Sequence, residues 1–383
     1  MLRALEIDNN LAEAYAELGR ACADAIAGPG RAFDACYHPI RPPGIVLLMA
    51  APYLATHDPV DAAYLALALN IVSFAVIVVC LAAAVIGDRA LLEGRPLRAH
   101  LLGMAAFAAL LPNLVSLIPV RLGDLPSLAL FLPAVLAAAR TAGGSWSGRP
   151  LLRRYLVCGA LCALAVLLNV RYVAYAFVLL GSLLALDGNA RGSRLRCAAA
   201  FVAGMAPVTI QVLNVFLHTG QLGLYDREFM RAFPHREYGI EAVFATIPDR
   251  TAYMVRAAGE ISRPEVVVLR LFRGLFGFEW AAYHGHPSAG PAWALGTVER
   301  VRAWVLVLAY FAFSGWVVRK GTSSLRLINL TAAASTLVPA VSVHTELRYY
   351  ALPRAVLWLT AAALVLAAFP RPAAGSRSGP PSP

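Results

Sequence analysis

The chain has 383 residues, of which 59% are hydrophobic and 14% charged, with a formal net charge of +11. A soluble domain carries roughly 25% charged residues, so an ordinary soluble enzyme is excluded. The basic excess must be read through membrane topology before nucleic acid is considered, and no nucleic-acid motif is present.

In chain order, residues 1–60 are polar at first. Residues 11–26 predict an amphipathic helix, with Leu11, Tyr15, Leu18, Cys22 and Ile26 recurring every three or four positions. Glu13, Glu17, Arg20 and Asp24 take its other face. Asn10 with Glu13 has capping-box spacing, which leaves Asp8 without a capping duty. A Gly/Pro break follows, then YHPIRPPGIVLLMAAPYLAT. Its apolar part, 44–56, is too short to span and contains Pro52, so it is expected to lie in the membrane interface.

The run 61–86, DAAYLALALNIVSFAVIVVCLAAAVI, carries one acid at its edge and none inside. It exceeds the roughly 20 residues that cross a bilayer. Further apolar runs cover 99–118, 125–139, 155–170, 172–186, 196–217, 301–318, 325–343 and 351–369. The fold expected is all-α and polytopic, with about nine transmembrane helices. Residues 155–186 as one helix would be about 48 Å long, so a hairpin is expected with Arg171 at its crest. The segment 218–299 is expected to be a folded outer loop, and the tail 370–383 to be disordered.

Arginines in short loops set orientation. Arg89, Arg95, Arg98, Arg140, Arg149, Arg153, Arg154, Arg191, Arg194, Arg196, Arg319, Lys320 and Arg326 mark one side as cytoplasmic. The opposite short loops hold little beyond Arg121, Arg171 and Arg348. Residues 1–60 then lie outside, although they contain no apolar signal. One more helix upstream of Met1 is the expectation that would export them. Of the cysteines, Cys22 and Cys36 share the outer compartment, where a disulfide can form. Cys158 and Cys162 lie on one apolar helix face and read as buried spectators.

Residues 2–21 also carry Leu5, Ala14, Tyr15, Leu18 and Gly19 in a pattern similar to a tetratricopeptide repeat. One and a half repeats cannot bury their own apolar face, because such arrays need about three. The small-residue pattern fits close packing on the membrane domain better.

An acid before an outer amphipathic helix, followed by His38-Pro39-Ile40-Arg41-Pro42-Pro43-Gly44, resembles the GT-C glycosyltransferases. This superfamily of membrane enzymes uses polyprenyl-phosphate sugars and includes protein O-mannosyltransferases and lipid A aminoarabinose transferases. AAFAALLPNLVSLIPVRLGDLPSLALFL (105–132) is similar to their third and fourth helices, with Asp124 at the outer turn. LLNVRYVAYAFVLLGSLLAL (167–186) resembles their hairpin, and HTELRYYALPRAVLWL (344–359) their closing Glu-x-Arg-Tyr segment. The chain departs from the pattern in lacking the first helix and in the two residues that split the His-Pro-Pro run.

The resemblance implies transfer of a sugar from a polyprenyl-phosphate donor to an extracytoplasmic lipid, glycan or protein acceptor at the plasma (inner) membrane. Asp8 takes the place of the general base and Asp124 that of a helper; Glu6 is the alternative base. His38, Arg41 and Arg348 are the candidate phosphate and lipid contacts, since a guanidinium fork matches phosphate. Arg41 and Arg348 read equally well as headgroup anchors, and Glu346 and Arg348 as a structural pair. Tyr15, Glu346, Tyr349 and Trp280 are the candidate substrate contacts. His284, His286 and Glu279 form a poor metal signature, so no metal ligand is assigned and a divalent ion stays an open alternative. The competing readings are a transporter or flippase, which would want polar residues in mid-span and broken helices, and a non-catalytic assembly protein.

Overall fold

The computed structural model describes residues 9–28, 32–38, 41–56, 58–86, 96–110, 124–226 and 321–340, with isolated positions 315, 319, 351–353, 355 and 366. Every regular element among them is helical. The first is α1 (Asn9–Ala27), followed by a short α2 (Ala32–Ala35) and α3 (Pro43–Thr56). Next come α4 (Pro59–Ile86), α5 (Leu97–Leu110), α6 (Asp124–Gly143), α7 (Gly148–Leu168) and α8 (Tyr172–Leu186). The bent pair α9 (Arg194–Gly204) and α10 (Thr209–Thr219) follows, and α11 (Ser323–Ala340) is the last. Three of these, α4, α6 and α7, are long and apolar enough to cross a membrane, and α9 with α10 makes a fourth if counted as one span. Large apolar side chains such as Val72, Val79, Leu164 and Leu213 face outward, as a lipid-facing surface requires. This is a membrane protein.

The hairpin expected over 155–186 is present. Asn169 breaks the run in an extended conformation between α7 and α8. At the far ends, the Tyr155 hydroxyl donates to Asp187 Oδ2 at 3.1 Å and Asn189 Nδ2 donates to the Gly144 carbonyl at 2.7 Å. The end of α8 therefore returns to the start of α7. At the other end Asn169 Nδ2 donates to Asp124 Oδ1 at 3.0 Å, so the end of α7 lies beside the start of α6. Ser324 Oγ donates to the Ala139 carbonyl at 2.8 Å, which sets the start of α11 against the end of α6. Helices α6, α7 and α8 thus run up, down and up, with α11 antiparallel to α6.

Helix α6 is the centre of this bundle: 72% of its apolar span is buried, against 44% for α7 and 22% for α4. Its inner residues Leu128, Phe131, Leu132 and Val135 pack with Tyr172, Tyr175 and Leu179 of α8 and Leu327 and Ile328 of α11. Small residues bring α7 and α9 into backbone contact. A Cβ at Gly159 would strike the Phe201 carbonyl oxygen, and one at Gly204 the Leu156 carbonyl oxygen. The segment expected as one span over 196–217 is bent by 43° at its break, where Pro207 cannot donate to the helix ladder.

The N-terminal helix packs on α3 through Leu18, Cys22 and Ala23 against Ile45, Val46, Met49 and Ala50. Its polar face is exposed, with Arg20 and Asp24 3.8 Å apart. Gly19 lies so close that a Cβ would sit 2.6 Å from the Met49 carbonyl oxygen, which explains the small-residue pattern without any repeat array. A disulfide joins Cys22 to Cys36. Asn10 stands inside the first turn of α1, so its spacing to Glu13 does not mark the cap. Helix ends commonly shift by one or two residues from a sequence estimate.

Candidate functional site

Two ends of the bundle differ in charge. Arg140, Arg149, Arg153, Arg154, Arg191, Arg194, Arg196 and Arg326 lie at the end where α6 meets α11 and α8 meets α7. The opposite rim holds Asp124, Asn169 and Arg171, and the sequence-predicted residues that are described gather there.

Asp124 is the first residue of α6 and is 9% exposed. It follows that its carboxylate is largely withdrawn from water while remaining at the rim. The Asn169 amide donates to it, and Asn169 Oδ1 accepts from the Arg171 backbone N–H at 3.2 Å. One side chain therefore holds both the hairpin turn and the carboxylate. Phe131, Tyr172 and Tyr175 pack beneath, with ring centroids 5.2 to 6.3 Å apart.

The segment Arg41–Gly44 docks onto the same rim. A Cβ at Gly44 would collide with the carbonyl oxygen of Leu167, two residues before Asn169. Only glycine lets α3 start this close, and the contact places Pro43, Pro42 and Arg41 over the end of α7. Burial, with the Arg41 charge adding to it, lowers the His38 pKa to about 4. His38 is therefore neutral at pH 7 and can only donate or accept a hydrogen bond. Between these two residues, the fixed positive charge belongs to Arg41.

A third wall comes from α10. Its C-terminus ends at Gly220 with φ 71°, a left-handed position that favours glycine. His218 stacks on Tyr37, with ring centroids 3.8 Å apart and planes 9° from parallel. With the proton on Nδ1, His218 donates to the Asn214 carbonyl at 2.8 Å, and Nε2 lies 3.7 Å from Asp34 Oδ1. Burial, with the charge of Asp226 adding, pushes the Tyr37 hydroxyl above its ordinary range. Gln211 Nε2 donates to the Leu224 carbonyl at 2.6 Å and ties 220–226 back over α10.

The structure thus brings Asp124, His38 and Arg41 to one rim, together with Arg171. Asp8, Trp280, Glu346, Arg348 and Tyr349 lie outside the described residues, as do Glu6 and the His284/His286 pair, and so does the side chain of Tyr15. Among the described residues no group of three or more His, Cys, Asp or Glu could hold a metal ion. Asn169, Asp34, Tyr37, His218 and Asp226 were not singled out by sequence. For Asn169 a signal existed: it is the one amide interrupting the apolar run 155–170.

Comparison with protein-family models, curated proteins and solved structures returns no match.

Proposed function

We propose that the chain is a membrane glycosyltransferase that moves a sugar from a polyprenyl-phosphate donor to an acceptor hydroxyl outside the cytoplasm. The observation that supports it is that a withdrawn carboxylate, Asp124, stands at the same arginine-poor rim as the Arg41-Pro42-Pro43 segment. The reading extends to about nine spans with that rim facing outward.

In this reading a carboxylate takes the acceptor proton, and the acceptor oxygen attacks the anomeric carbon. The bond to the phosphate oxygen breaks, and polyprenyl phosphate leaves with the electron pair, so the anomeric centre inverts. Asp8 is the proposed base, with Asp124 orienting the acceptor. Arg41 and Arg348 meet the phosphate charge, where a guanidinium can make two parallel bonds. His38 contributes a neutral hydrogen bond. Tyr15, Trp280, Glu346 and Tyr349 are proposed to contact the sugar or acceptor.

The test is release of label from a radiolabelled polyprenyl-phosphate sugar in membranes. Asp8→Asn and Arg41→Gln are expected to lower transfer by about a hundredfold and tenfold, the usual scale for a general base and a charged contact. Equal transfer by wild type and Asp8→Asn removes Asp8 as base, and no transfer with any wild-type preparation removes the enzyme reading.

One feature favours a transporter or flippase instead. Asn70, Gln211, Thr331 and Ser335 are buried within helices, and α9–α10 is a broken pair. Movement of a lipid-linked sugar across reconstituted vesicles, unaffected by Asp8→Asn, would choose that reading.

A further inference from the structure

At the arginine-rich end, the loop from α6 to α7 borders a cavity of about 600 Å³. Arg149, Arg153, Arg154 and Trp146 line it, and Ala137, Pro150 and Val157 add apolar lining. The Arg154 guanidinium lies over the Trp146 ring at 3.3 Å from its centroid, which fixes it in place. Asn189 holds the loop by its bond to the Gly144 carbonyl. The nearby carboxylate of Asp187 is engaged by Tyr155 and Asn189. Among the described residues none of the three arginines makes an ion pair, and the Trp146 indole N–H has no acceptor. Three guanidinium groups thus line one cavity, without an ion pair among the described residues, beside the positive end of α7.

We propose that this cavity binds the headgroup of an anionic phospholipid. The guanidinium forks match a phosphodiester bidentately, and three charges select a headgroup with net negative charge over a zwitterion. The apolar lining distinguishes a lipid from a free phosphate. Val157 and Leu164, 42% and 45% exposed, continue down the Arg153 face of α7 at helical spacing and offer a path for an acyl chain. The site lies at the opposite end from the proposed transfer site and does not depend on that reading.

The full chain in detergent is titrated with dioctanoyl phosphatidylglycerol, dioctanoyl phosphatidylcholine or inorganic phosphate, and its thermal midpoint is read by labelling of the buried thiols Cys158 and Cys162. Phosphatidylglycerol is expected to raise the midpoint saturably, and the other two to leave it unchanged. Arg149→Gln with Arg153→Gln is expected to weaken the apparent affinity by about tenfold per arginine. Both side chains are exposed, so their loss removes no core contact; should the pair fail to fold, Arg149→Gln alone decides at about tenfold. Arg194→Gln with Arg196→Gln, at the same end but outside the cavity, is expected to respond as wild type. An equal response to phosphatidylcholine overturns the proposal, and so does a full response in the Arg149/Arg153 variant. An equal response to inorganic phosphate assigns a small-anion site and overturns the lipid. Equal loss in the Arg194/Arg196 variant shows a net-charge effect and overturns the cavity.

Discussion

Replacing Gly159 by alanine tests whether backbone contact between α7 and α9 holds this bundle together. The added methyl would meet the Phe201 carbonyl oxygen and lie 3.2 Å from the Gly204 Cα. Both obstacles are backbone, so no rotamer change relieves them. Overpacking of this kind costs about 1–3 kcal/mol, and the better helix propensity of alanine returns about 0.5–1 kcal/mol. The net loss expected from these two terms is centred at ~1 kcal/mol and spans about 0–2.5 kcal/mol. Gly181 in α8 is the internal control, because a Cβ there meets nothing within 4 Å, and Gly181→Ala should leave the protein unchanged or firmer. The four free cysteines, Cys80, Cys158, Cys162 and Cys197, are all buried. Their reaction with a thiol-specific dye during a temperature ramp in detergent reports bundle opening without added labels. Three of them lie on α7 or α9. Gly159→Ala should lower the labelling midpoint and Gly204→Ala should do likewise. The pair should lose less than the sum, since the first methyl has already separated the helices. Equal midpoints for Gly159→Ala and Gly181→Ala would refute the close crossing.

Asn169→Ala removes the donor to the Asp124 carboxylate and the acceptor for the Arg171 N–H. A destabilisation of about 1.5–3 kcal/mol is expected for a bond to a charged group, read by the same labelling midpoint, and Asn169→Asp should lose more by setting a second carboxylate against the first. Cys22→Ser with Cys36→Ser opens a crosslink between positions 14 apart. Loops of that size are worth roughly 3 kcal/mol, so hydrogen exchange in α1 should rise while α6 to α8 stay protected. His38 has its folded pKa lowered from 6.5 to about 4, so protonation favours release of the segment. Its stabilisation is present above pH 6.5 and is lost as pH falls from there through about 4. Hydrogen exchange over 36–46 should therefore rise on acidification in wild type and stay flat in His38→Gln.

What could be read from sequence was one-dimensional: length, apolarity and the places where either is interrupted. The hairpin at Asn169–Arg171 was legible because 32 residues of helix overshoot a bilayer and two polar residues, Asn169 and Arg171, interrupt them. The amphipathic α1 was legible from periodicity; that it packs on α3, the apolar 44–56 expected only at the membrane interface, was not. Burial was not legible. The run 61–86 is the longest unbroken apolar stretch, yet α4 is the least buried of the long helices, while α6 with Asp124, an internal proline (Pro133) and Arg140 is the most enclosed. Lipid is as apolar as a protein core, so composition cannot tell which face meets which. The Cys22–Cys36 pair was confined by sequence to one compartment only; its closure depends on α2 bringing Cys36 back beside α1.

The candidate site divides along the same line. Asp124 stood out as an acid between apolar runs, but its partner Asn169 is 45 positions away and is found only through the register of α6 on α7. His38 and Arg41 stood out together as a basic pair, and burial separates them: the imidazole is neutral at pH 7 and the guanidinium cannot be. That separation sharpens the chemistry, because a phosphate held at this rim through His38 and Arg41 draws its charge compensation from Arg41. Arg41→Lys keeps the charge and loses the fork, so a phosphate bound bidentately should weaken in Arg41→Lys as well as in Arg41→Gln. A phosphate held by charge alone should tolerate lysine and respond only to glutamine.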